Sequence, residues 1–207
     1  MSTNAYDYAE TPAPAGAPLV VAFHGTGGDA HQFTDLLREL APGAHLIAPR
    51  GDVSERGALR YFKRTGEGVY DMEDLHLRTE KMAGFLKAQI ARIKPARVIG
   101  LGYSNGANIL ASVMFRDAVF FDEAVLMHPL IPFEPAPNAG LAAARILITA
   151  GRNDPICPAP LTQALADYLE AQGSDLTLDW HEGGHELRHS ELAALRNFFT
   201  TTPALAG

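Results

Sequence analysis

The stretch Val98-Ile99-Gly100-Leu101-Gly102-Tyr103-Ser104-Asn105-Gly106 decides the fold of this 207-residue chain. Residues 98–101 form a short apolar run that predicts a buried strand, and residues 105–115 have the pattern of a helix. The G-x-S-x-G motif between them predicts a strained turn from strand to helix, with the Ser104 hydroxyl exposed above a sheet. A side chain at Gly102 or Gly106 would collide with neighbouring backbone, so both positions need glycine.

The same alternation of strand and helix extends in both directions from this turn. Strands alternating with helices indicate βαβ units and a mostly parallel central sheet, flanked by helices on both faces. We therefore expect a single α/β domain over residues 1–207, in which residues 1–18 are the least defined part. Strands are expected at residues 19–23, 46–48, 98–101, 124–127, 146–148 and 176–180, helices at about 29–40, 74–93, 105–115, 159–171 and 186–199, and a glycine-rich loop at 50–71.

Composition excludes several classes of protein. The chain has 17 Lys+Arg against 24 Asp+Glu and a formal charge of −7, which argues against nucleic acid as a partner. The lone cysteine, Cys157, excludes an internal disulfide framework and is expected to be a small packed residue. No secretory signal and no apolar run of about 20 residues is visible, so we expect a cytoplasmic protein without a membrane span.

Ser104 needs a base to become a nucleophile. In folds with a turn of this kind, the nucleophile, the acid and the base follow one another along the chain in the order Ser, Asp or Glu, His. Asp154 lies just past the predicted strand at 146–148, and His185 lies just past the one at 176–180. Because the carboxyl ends of parallel strands share one edge of a sheet, we expect these side chains to lie together. Ser104 is the candidate nucleophile, His185 the candidate base and Asp154 the candidate orienting acid.

Other residues compete for these roles. His181 and His189 flank the predicted base, and Asp175 and Asp179 are also close to it in sequence. These two aspartates precede or lie within a strand rather than following its carboxyl end, so we expect them to be solvated surface groups.

Two overlapping H-E-x-x-H strings, residues 181–185 and 185–189, are similar to the zinc-binding motif of metallopeptidases. The first string would put Gly183 and Gly184 inside a helix, at a cost of about 1 kcal/mol each relative to alanine. The second has only Glu191 as a following acid, too close for a typical third ligand. The glycines of residues 100–106 do not match the spacing of a dinucleotide-binding loop. We therefore expect no metal and no cofactor.

The segment His24-Gly25-Thr26-Gly27-Gly28 follows the first apolar strand, where an oxyanion-binding N–H group is expected. We assign the backbone N–H groups of Thr26 and Asn105 as the two donors. Removal of one such donor typically costs about 3 kcal/mol of transition-state stabilisation. His24 itself is expected to pack beneath the loop without titrating in catalysis.

Together these motifs resemble the α/β-hydrolase superfamily, and within it the small, cap-less phospholipase/carboxylesterase family. The resemblance implies a serine hydrolase of carboxylic esters with Ser104, Asp154 and His185 as its triad, in a group that includes acyl-protein thioesterases and lysophospholipases. It also implies that the family's opening antiparallel strands are reduced to about residues 5–9. The likeness runs over residues 19–199 and is carried by residues 24–29, 49–51, 101–108, 151–155 and 184–185.

The substrate is less specified than the chemistry. The segments 50–71 and 129–133 are expected at the catalytic edge, and Phe62 and Leu130 are the candidate substrate-binding residues. No segment is long enough for a large cap, which favours small to medium esters. A lysophospholipase, an acyl thioesterase and a non-catalytic binding protein of the same fold are the alternatives, and a homodimer is compatible with the sequence.

Overall fold

The computed structural model describes residues 6–66 and 68–201. The strands are β1 (Tyr8–Thr11), β2 (Leu19–Phe23), β3 (His45–Pro49), β4 (Val53–Glu55), β5 (Ala58–Arg60), β6 (Arg64–Gly66), β7 (Val69–Tyr70), β8 (Val98–Tyr103), β9 (Glu123–Met127), β10 (Arg145–Gly151) and β11 (Asp175–His181). The helices are α1 (Thr34–Leu40), α2 (Met72–Ile93), α3 (Asn105–Arg116), α4 (Ala159–Ala171) and α5 (His189–Thr200), with 3-10 turns at Ala118–Phe120 and Ala139–Ala143.

Seven strands form the central sheet in the order β1-β3-β2-β8-β9-β10-β11. All neighbouring pairs are parallel except β1 and β3, so the predicted mostly parallel α/β sheet is confirmed. The antiparallel strand expected near residues 5–9 is displaced to Tyr8–Thr11, because residues 8–11 pair with residues 46–49. Residue 5 lies outside the described residues.

The core lies on both faces of the sheet because successive residues of each strand point to opposite sides. Leu19, Val21 and Phe23 of β2 pack in the cluster that contains α2, α3 and α4. Val20 and Ala22 pack in the second cluster, with α1 and α5. Apolar side chains on both faces explain why the central strands are continuous apolar runs. No helix within residues 6–66 and 68–201 is both long and apolar enough to cross a membrane.

The first helix is shorter than predicted. The sequence predicts a helix from about residue 29, but α1 begins at Thr34. The Asp29 carboxylate instead accepts the N–H of His31 at 2.7 Å, which forms a local turn. Gln32 Oε1 accepts the backbone N–H of Gly25 at 2.9 Å. This segment therefore supports the neighbouring loop and does not form a helix.

The predicted loop at residues 50–71 is wrong in its middle part, because it contains two small antiparallel hairpins. β4 pairs with β5 across a turn in which Arg56 and Gly57 both have positive φ, at 52° and 91°. Such turns join two strands directly, since their twist matches that of the pair. Glu55 also forms ion pairs with Arg60 and Arg64, which connect the two hairpins.

The last helix begins at His189 rather than near residue 186. Arg188 has an extended backbone, and its N–H donates to Glu191 Oε2 at 2.7 Å. A glutamate at the third helical position that bonds back to the residue before the helix is a common helix start. The remaining helices and strands end within a few residues of the predicted bounds.

The turn that carries Ser104 depends on a close approach of two backbones, as the sequence predicts. A Cβ atom at Gly106 would lie 2.5 Å from the carbonyl oxygen of His24 and closer still to that of Phe23. A Cβ at Gly102 would lie 2.6 Å from the carbonyl group of Gly106. These glycines let α3 begin directly against the end of β2.

Gly106→Ala should lower the free energy of unfolding by about 1–3 kcal/mol, because backbone atoms must move to admit the methyl group. Gly84→Ala is the matched control, since Gly84 lies inside α2 and its Cβ would have no neighbour within 4 Å. Alanine there should raise stability by about 1 kcal/mol through helix propensity. Urea unfolding measures both values, and equal effects of the two substitutions would contradict the close approach.

Candidate functional site

Ser104 occupies a strained turn between β8 and α3. Its φ and ψ are 53° and −119°, a conformation that residues with side chains rarely adopt. Its N–H donates to the carbonyl oxygen of Met127 at 2.8 Å, which ties the turn to the end of β9. The residue is half-buried, so its hydroxyl remains accessible. Strain of this kind is concentrated at functional sites.

The three residues assigned from sequence lie in a hydrogen-bonded line. His185 Nε2 is 2.9 Å from Ser104 Oγ, and His185 Nδ1 is 2.7 Å from Asp154 Oδ2. The histidine side chain is 18% exposed, whereas Asp154 is fully buried. A carboxylate at Nδ1 fixes the tautomer whose Nε2 can accept the serine proton. This arrangement can activate a hydroxyl nucleophile.

The Asp154 carboxylate accepts hydrogen bonds on both oxygens. Oδ1 accepts the backbone N–H groups of Ile156 and Cys157, at 2.8 and 2.9 Å. Oδ2 accepts from His185 and from a second histidine, His128, at 2.9 Å. Burial by itself would raise the pKa of Asp154, but these bonds outweigh it and hold the pKa below its usual value. The group is therefore a carboxylate in a fixed orientation.

His128 is the main residue that the sequence analysis missed. It follows β9 directly, as Ser104 follows β8, and it too has a positive φ of 49°. Its ring is fully buried between two carboxylates, with Nδ1 on Asp154 and Nε2 3.1 Å from Glu191 Oε1. Burial lowers the pKa of His128, but the bonds to Glu191 and Asp154 outweigh burial and raise it. Its position at the carboxyl end of a parallel strand was the signal that could have found it.

Glu191, on α5, completes this buried cluster. Besides His128 and the N–H of Arg188, its carboxylate accepts the Thr149 hydroxyl at 2.7 Å and lies 3.3 Å from His181 Nε2. Burial raises the pKa of Glu191, but the bonds from His128 and Thr149 outweigh it and lower the pKa. The residue is thus both part of the helix start and a buried anion.

The loop at residues 24–28 has one N–H group without a partner. Within residues 6–66 and 68–201, the N–H groups of Gly25, Gly27 and Gly28 donate to protein acceptors, whereas the Thr26 N–H has none. The N–H of Asn105, the first residue of α3, also lacks an acceptor in the described part of the chain. Donors at a helix start and in an adjoining loop are suited to an anionic oxygen.

Residues beneath and beside this loop fix its shape. His24 Nε2 accepts the N–H of Gly51 at 2.9 Å and its Nδ1 is 2.7 Å from the Gly25 carbonyl oxygen, so the ring is used structurally. Burial lowers the pKa of His24, which keeps it neutral. On the open side, Arg60 Nη1 donates to the Thr26 hydroxyl at 3.1 Å, and this arginine comes from the hairpin that was predicted as loop.

The competing residues do not join the line. Asp175 is exposed at the start of β11, and Asp179 lies within the strand, where burial raises its pKa. His189 is exposed at the first turn of α5. His181 belongs to the buried cluster but contacts Glu191 rather than Ser104 or Asp154.

The histidines do not have the helical arrangement of a zinc motif. Residues 181–185 run from the end of β11 into a loop, and residues 185–189 reach only the first residue of α5. His128, His181 and Glu191 do place donor atoms within 4.8 Å of one another. However, His181 Nδ1 accepts the N–H of Gly183 at 3.0 Å, which puts its proton on Nε2. That nitrogen therefore presents a proton, not a lone pair, to a metal.

The substrate-binding candidates lie inside the protein. Phe62 has no exposed surface and packs on Tyr70 with ring centroids 4.8 Å apart. Leu130 is also buried, its N–H bonded to Asn108 Oδ1 at 2.7 Å. Their contact with substrate stays a prediction. A groove of about 710 Å³ lies between residues 131–137 and α4, and none of Ser104, His185 and Asp154 lines it.

Cys157 is buried, as expected for a packed residue. Its thiol lies 3.2 Å from the carbonyl oxygen of His128, and burial raises its pKa. A thiol that stays protonated is a poor nucleophile, so Cys157 contributes through its backbone N–H to Asp154.

Comparisons with known proteins show what the chain as a whole is similar to. The model of the dienelactone hydrolase family matches residues 6–191. MhqD of Bacillus subtilis (strain 168), which carries the name of a hydrolase, is 37% identical over 183 residues, covering 87% of this chain and 92% of MhqD. The protein Atu2452 from Agrobacterium tumefaciens strain C58 has 52% identity and a TM-score of 0.94, covering 98% of this chain and 100% of its own. A Bacillus cereus carboxylesterase has 32% identity and a TM-score of 0.87, covering 94% and 93%.

Asp154→Asn should lower the free energy of unfolding at pH 7 by roughly 3 kcal/mol, because an amide has one acceptor oxygen where the buried carboxylate has two. The depressed pKa of Asp154 stabilises the fold above about pH 4, and this contribution is lost as pH falls through the folded-state pKa. The deficit of the variant should therefore shrink toward pH 3.

Asp179→Asn is the control, and its expected effect on the free energy of unfolding has the opposite sign. The reason is that the pKa of Asp179 is raised in the folded state. Its carboxylate form costs stability at neutral pH, so the amide should be neutral or stabilising at pH 7. Urea unfolding at pH 7, 5 and 3 measures both variants. An equal loss of stability in both variants at pH 7 would contradict a stabilising role of the hydrogen bonds to Asp154.

Proposed function

The chain belongs to the dienelactone hydrolase family, and from this premise we propose that it is a serine hydrolase that cleaves carboxylic esters through Ser104, His185 and Asp154. The family and the carboxylesterase relative support a hydrolase of this general type. The observation that carries the finer proposal is the line from Ser104 Oγ to His185 Nε2, at 2.9 Å, and from His185 Nδ1 to Asp154 Oδ2, at 2.7 Å.

In the acylation step, His185 Nε2 takes the Ser104 proton while Oγ forms a bond to the ester carbonyl carbon. Asp154 holds the ring in the required tautomer and stabilises the imidazolium that forms. The ester C–O bond then breaks, and the leaving alcohol takes the proton from His185. The product of this half-reaction is an acyl group on Ser104.

In the second step, water replaces the alcohol. His185 takes a proton from water as the water oxygen attacks the acyl carbon. The bond between Ser104 Oγ and the acyl carbon then breaks, and His185 returns the proton to Ser104 Oγ. The carboxylic acid leaves and the enzyme is restored. The half-buried serine and the partly exposed histidine allow water to reach the acyl carbon.

The negative charge on the carbonyl oxygen in both steps would be stabilised by the N–H groups of Thr26 and Asn105. Both groups are unpaired in the described part of the chain, so their hydrogen bonds are free for the transition state. Donors held in place before the reaction need no rearrangement during it, which makes such a site effective. The Arg60 bond to the Thr26 hydroxyl helps to hold this loop in its conformation.

Ser104→Ala should lower ester hydrolysis roughly 10⁴-fold or more and abolish labelling by a fluorophosphonate probe, because no Oγ remains to attack. Ser112→Ala is the matched control, since Ser112 lies in α3 and its hydroxyl bonds to the carbonyl oxygen of Asn108 at 2.8 Å. The control should be labelled like the wild type. Labelling of the Ser104 variant would contradict the assignment, and a wild type that neither binds the probe nor hydrolyses p-nitrophenyl butyrate would indicate a non-catalytic protein.

We expect small to medium esters to be the preferred substrates, since residues 6–66 and 68–201 contain no helical cap over Ser104. The ratio kcat/KM for p-nitrophenyl acetate and butyrate should exceed that for the palmitate ester. A small lactone, an acyl thioester and a lysophospholipid, assayed in parallel, separate the alternatives. A preference for the palmitate ester or the lysophospholipid would overturn the proposed substrate size.

A further inference from the structure

We propose that His128 is a positioning residue: as an imidazolium clamped between Asp154 and Glu191, it holds the Asp154 carboxylate toward His185 and balances part of its negative charge. This inference rests on the proposed function, because it assigns a role within the Ser104 mechanism. His128 has no exposed surface, so it acts through Asp154 rather than on substrate.

The first argument is the assignment of protons in the cluster. Both carboxylates are ionised, and each faces one ring nitrogen of His128, at 2.9 and 3.1 Å. A neutral imidazole has only one N–H, so one of the two contacts would then set a lone pair against a buried carboxylate oxygen. Two N–H groups satisfy both contacts. The 3.4 Å approach of His128 Nε2 to His181 Nε2 is then a contact between two donors that share Glu191.

The second argument is the completeness of the network. Asp154 accepts from Ile156, Cys157, His128 and His185, which fills both of its oxygens. Glu191 likewise accepts from Thr149, Arg188, His128 and His181. Buried polar groups are tolerated when all are satisfied, and such networks favour a single arrangement of side chains. Loss of the His128 bridge would leave acceptors on both carboxylates unpaired.

The third argument is the backbone at His128. Its positive φ is unfavourable for a residue with a Cβ atom, by roughly 1–2 kcal/mol. The strain places the ring between the ends of β9 and β10, where the His128 N–H also donates to the carbonyl oxygen of Thr149 at 2.8 Å. A conformation that costs stability and delivers a charged group to a catalytic carboxylate is consistent with a functional role.

The charge of His128 reaches the catalytic base. The ring centroids of His128 and His185 are 5.1 Å apart, and both rings bond to the same oxygen of Asp154. A charge at that distance acts electrostatically on the group that takes the Ser104 proton in the proposed mechanism. Other titratable groups near the two rings are Tyr103 of β8, whose pKa burial raises to about 12, Cys157 in the loop after β10, His181 of β11, and Glu186, which follows His185 in the chain.

The decisive measurement on the unmodified protein is the ¹⁵N chemical shift of the histidine side chains at pH 7.5. His128 should show two protonated ring nitrogens, with both N–H protons slow to exchange because the ring is buried. Its signals are assigned on the unmodified protein by through-bond correlation from the His128 backbone to its ring nitrogens. A neutral His128 at this pH would overturn the proposal. The outcome does not depend on whether any variant folds or whether the protein hydrolyses esters.

His128→Asn tests the consequence for catalysis. Asparagine tolerates positive φ better than other residues, and its short amide can still donate to Asp154, so the variant removes the charge and the bridge to Glu191 with little added strain. We expect kcat for p-nitrophenyl butyrate to fall roughly ten- to a hundredfold at pH 7.5, with KM nearly unchanged. The acid limb of the kcat/KM profile should move up by about one pH unit.

Glu191→Gln tests the other end of the bridge. The amide keeps the shape of the side chain but removes the anion that stabilises the imidazolium. The His128 ring should then lose its second proton at a lower pH than in the wild type, as followed by the same ¹⁵N signals. An unchanged His128 titration in this variant would contradict the clamp.

The matched controls are His45→Asn and Glu10→Gln. This buried histidine and its glutamate form a 2.7 Å contact at the opposite edge of the sheet, far from Ser104 in the fold. Neither control should change the pH profile. If the wild type hydrolyses esters but His128→Asn has the wild-type kcat and acid limb, His128 is only structural. If the wild type has no hydrolase activity, the proposed function fails, while the ¹⁵N result still decides the state of His128.

Discussion

The buried Asp154 carboxylate is the interaction on which the site depends. Its two oxygens receive backbone N–H groups from their own turn and ring N–H groups from the ends of β9 and β11. A buried anion is costly unless every lone pair is used, and here the donors come from separate parts of the fold. The geometry of the candidate site and the packing of the three strand ends therefore depend on the same hydrogen bonds.

Parallel pairing explains why these groups meet. Tyr103 pairs with Met127 in the register of β8 and β9, so Ser104 and His128 leave the sheet side by side. Both have positive φ, and each donates its N–H to the last paired residue of the next strand. The backbone hydrogen bonds of the sheet thus extend one residue beyond β8 and β9, while the side chains of Ser104 and His128 turn out of the sheet. Burial of the apolar core on both faces of the sheet offsets the free-energy cost of these two strained backbone conformations.

The sequence predicts the parts of the site that follow from order and strand ends. A serine turn after β8, an acid after β10 and a histidine after β11 must share one edge of a parallel sheet. His128 satisfies the same rule but belongs to no motif, because its role depends on Glu191, which lies 63 residues away. The hairpins between β3 and α2 were missed for a related reason. Their short polar strands have no apolar alternation and depend on ion pairs to Glu55.

The extended cluster bears on the proposed role of His185 as a general base. In the proposed mechanism, the carboxylate beside His185 must be negative enough to stabilise the imidazolium that forms in the transition state. As the proposed imidazolium, His128 would leave the cluster of Asp154, His128 and Glu191 with one net negative charge, while its hydrogen bonds keep the rings oriented. Because Glu191 also accepts the Arg188 N–H at the start of α5, the same carboxylate links the histidine cluster to the start of the last helix.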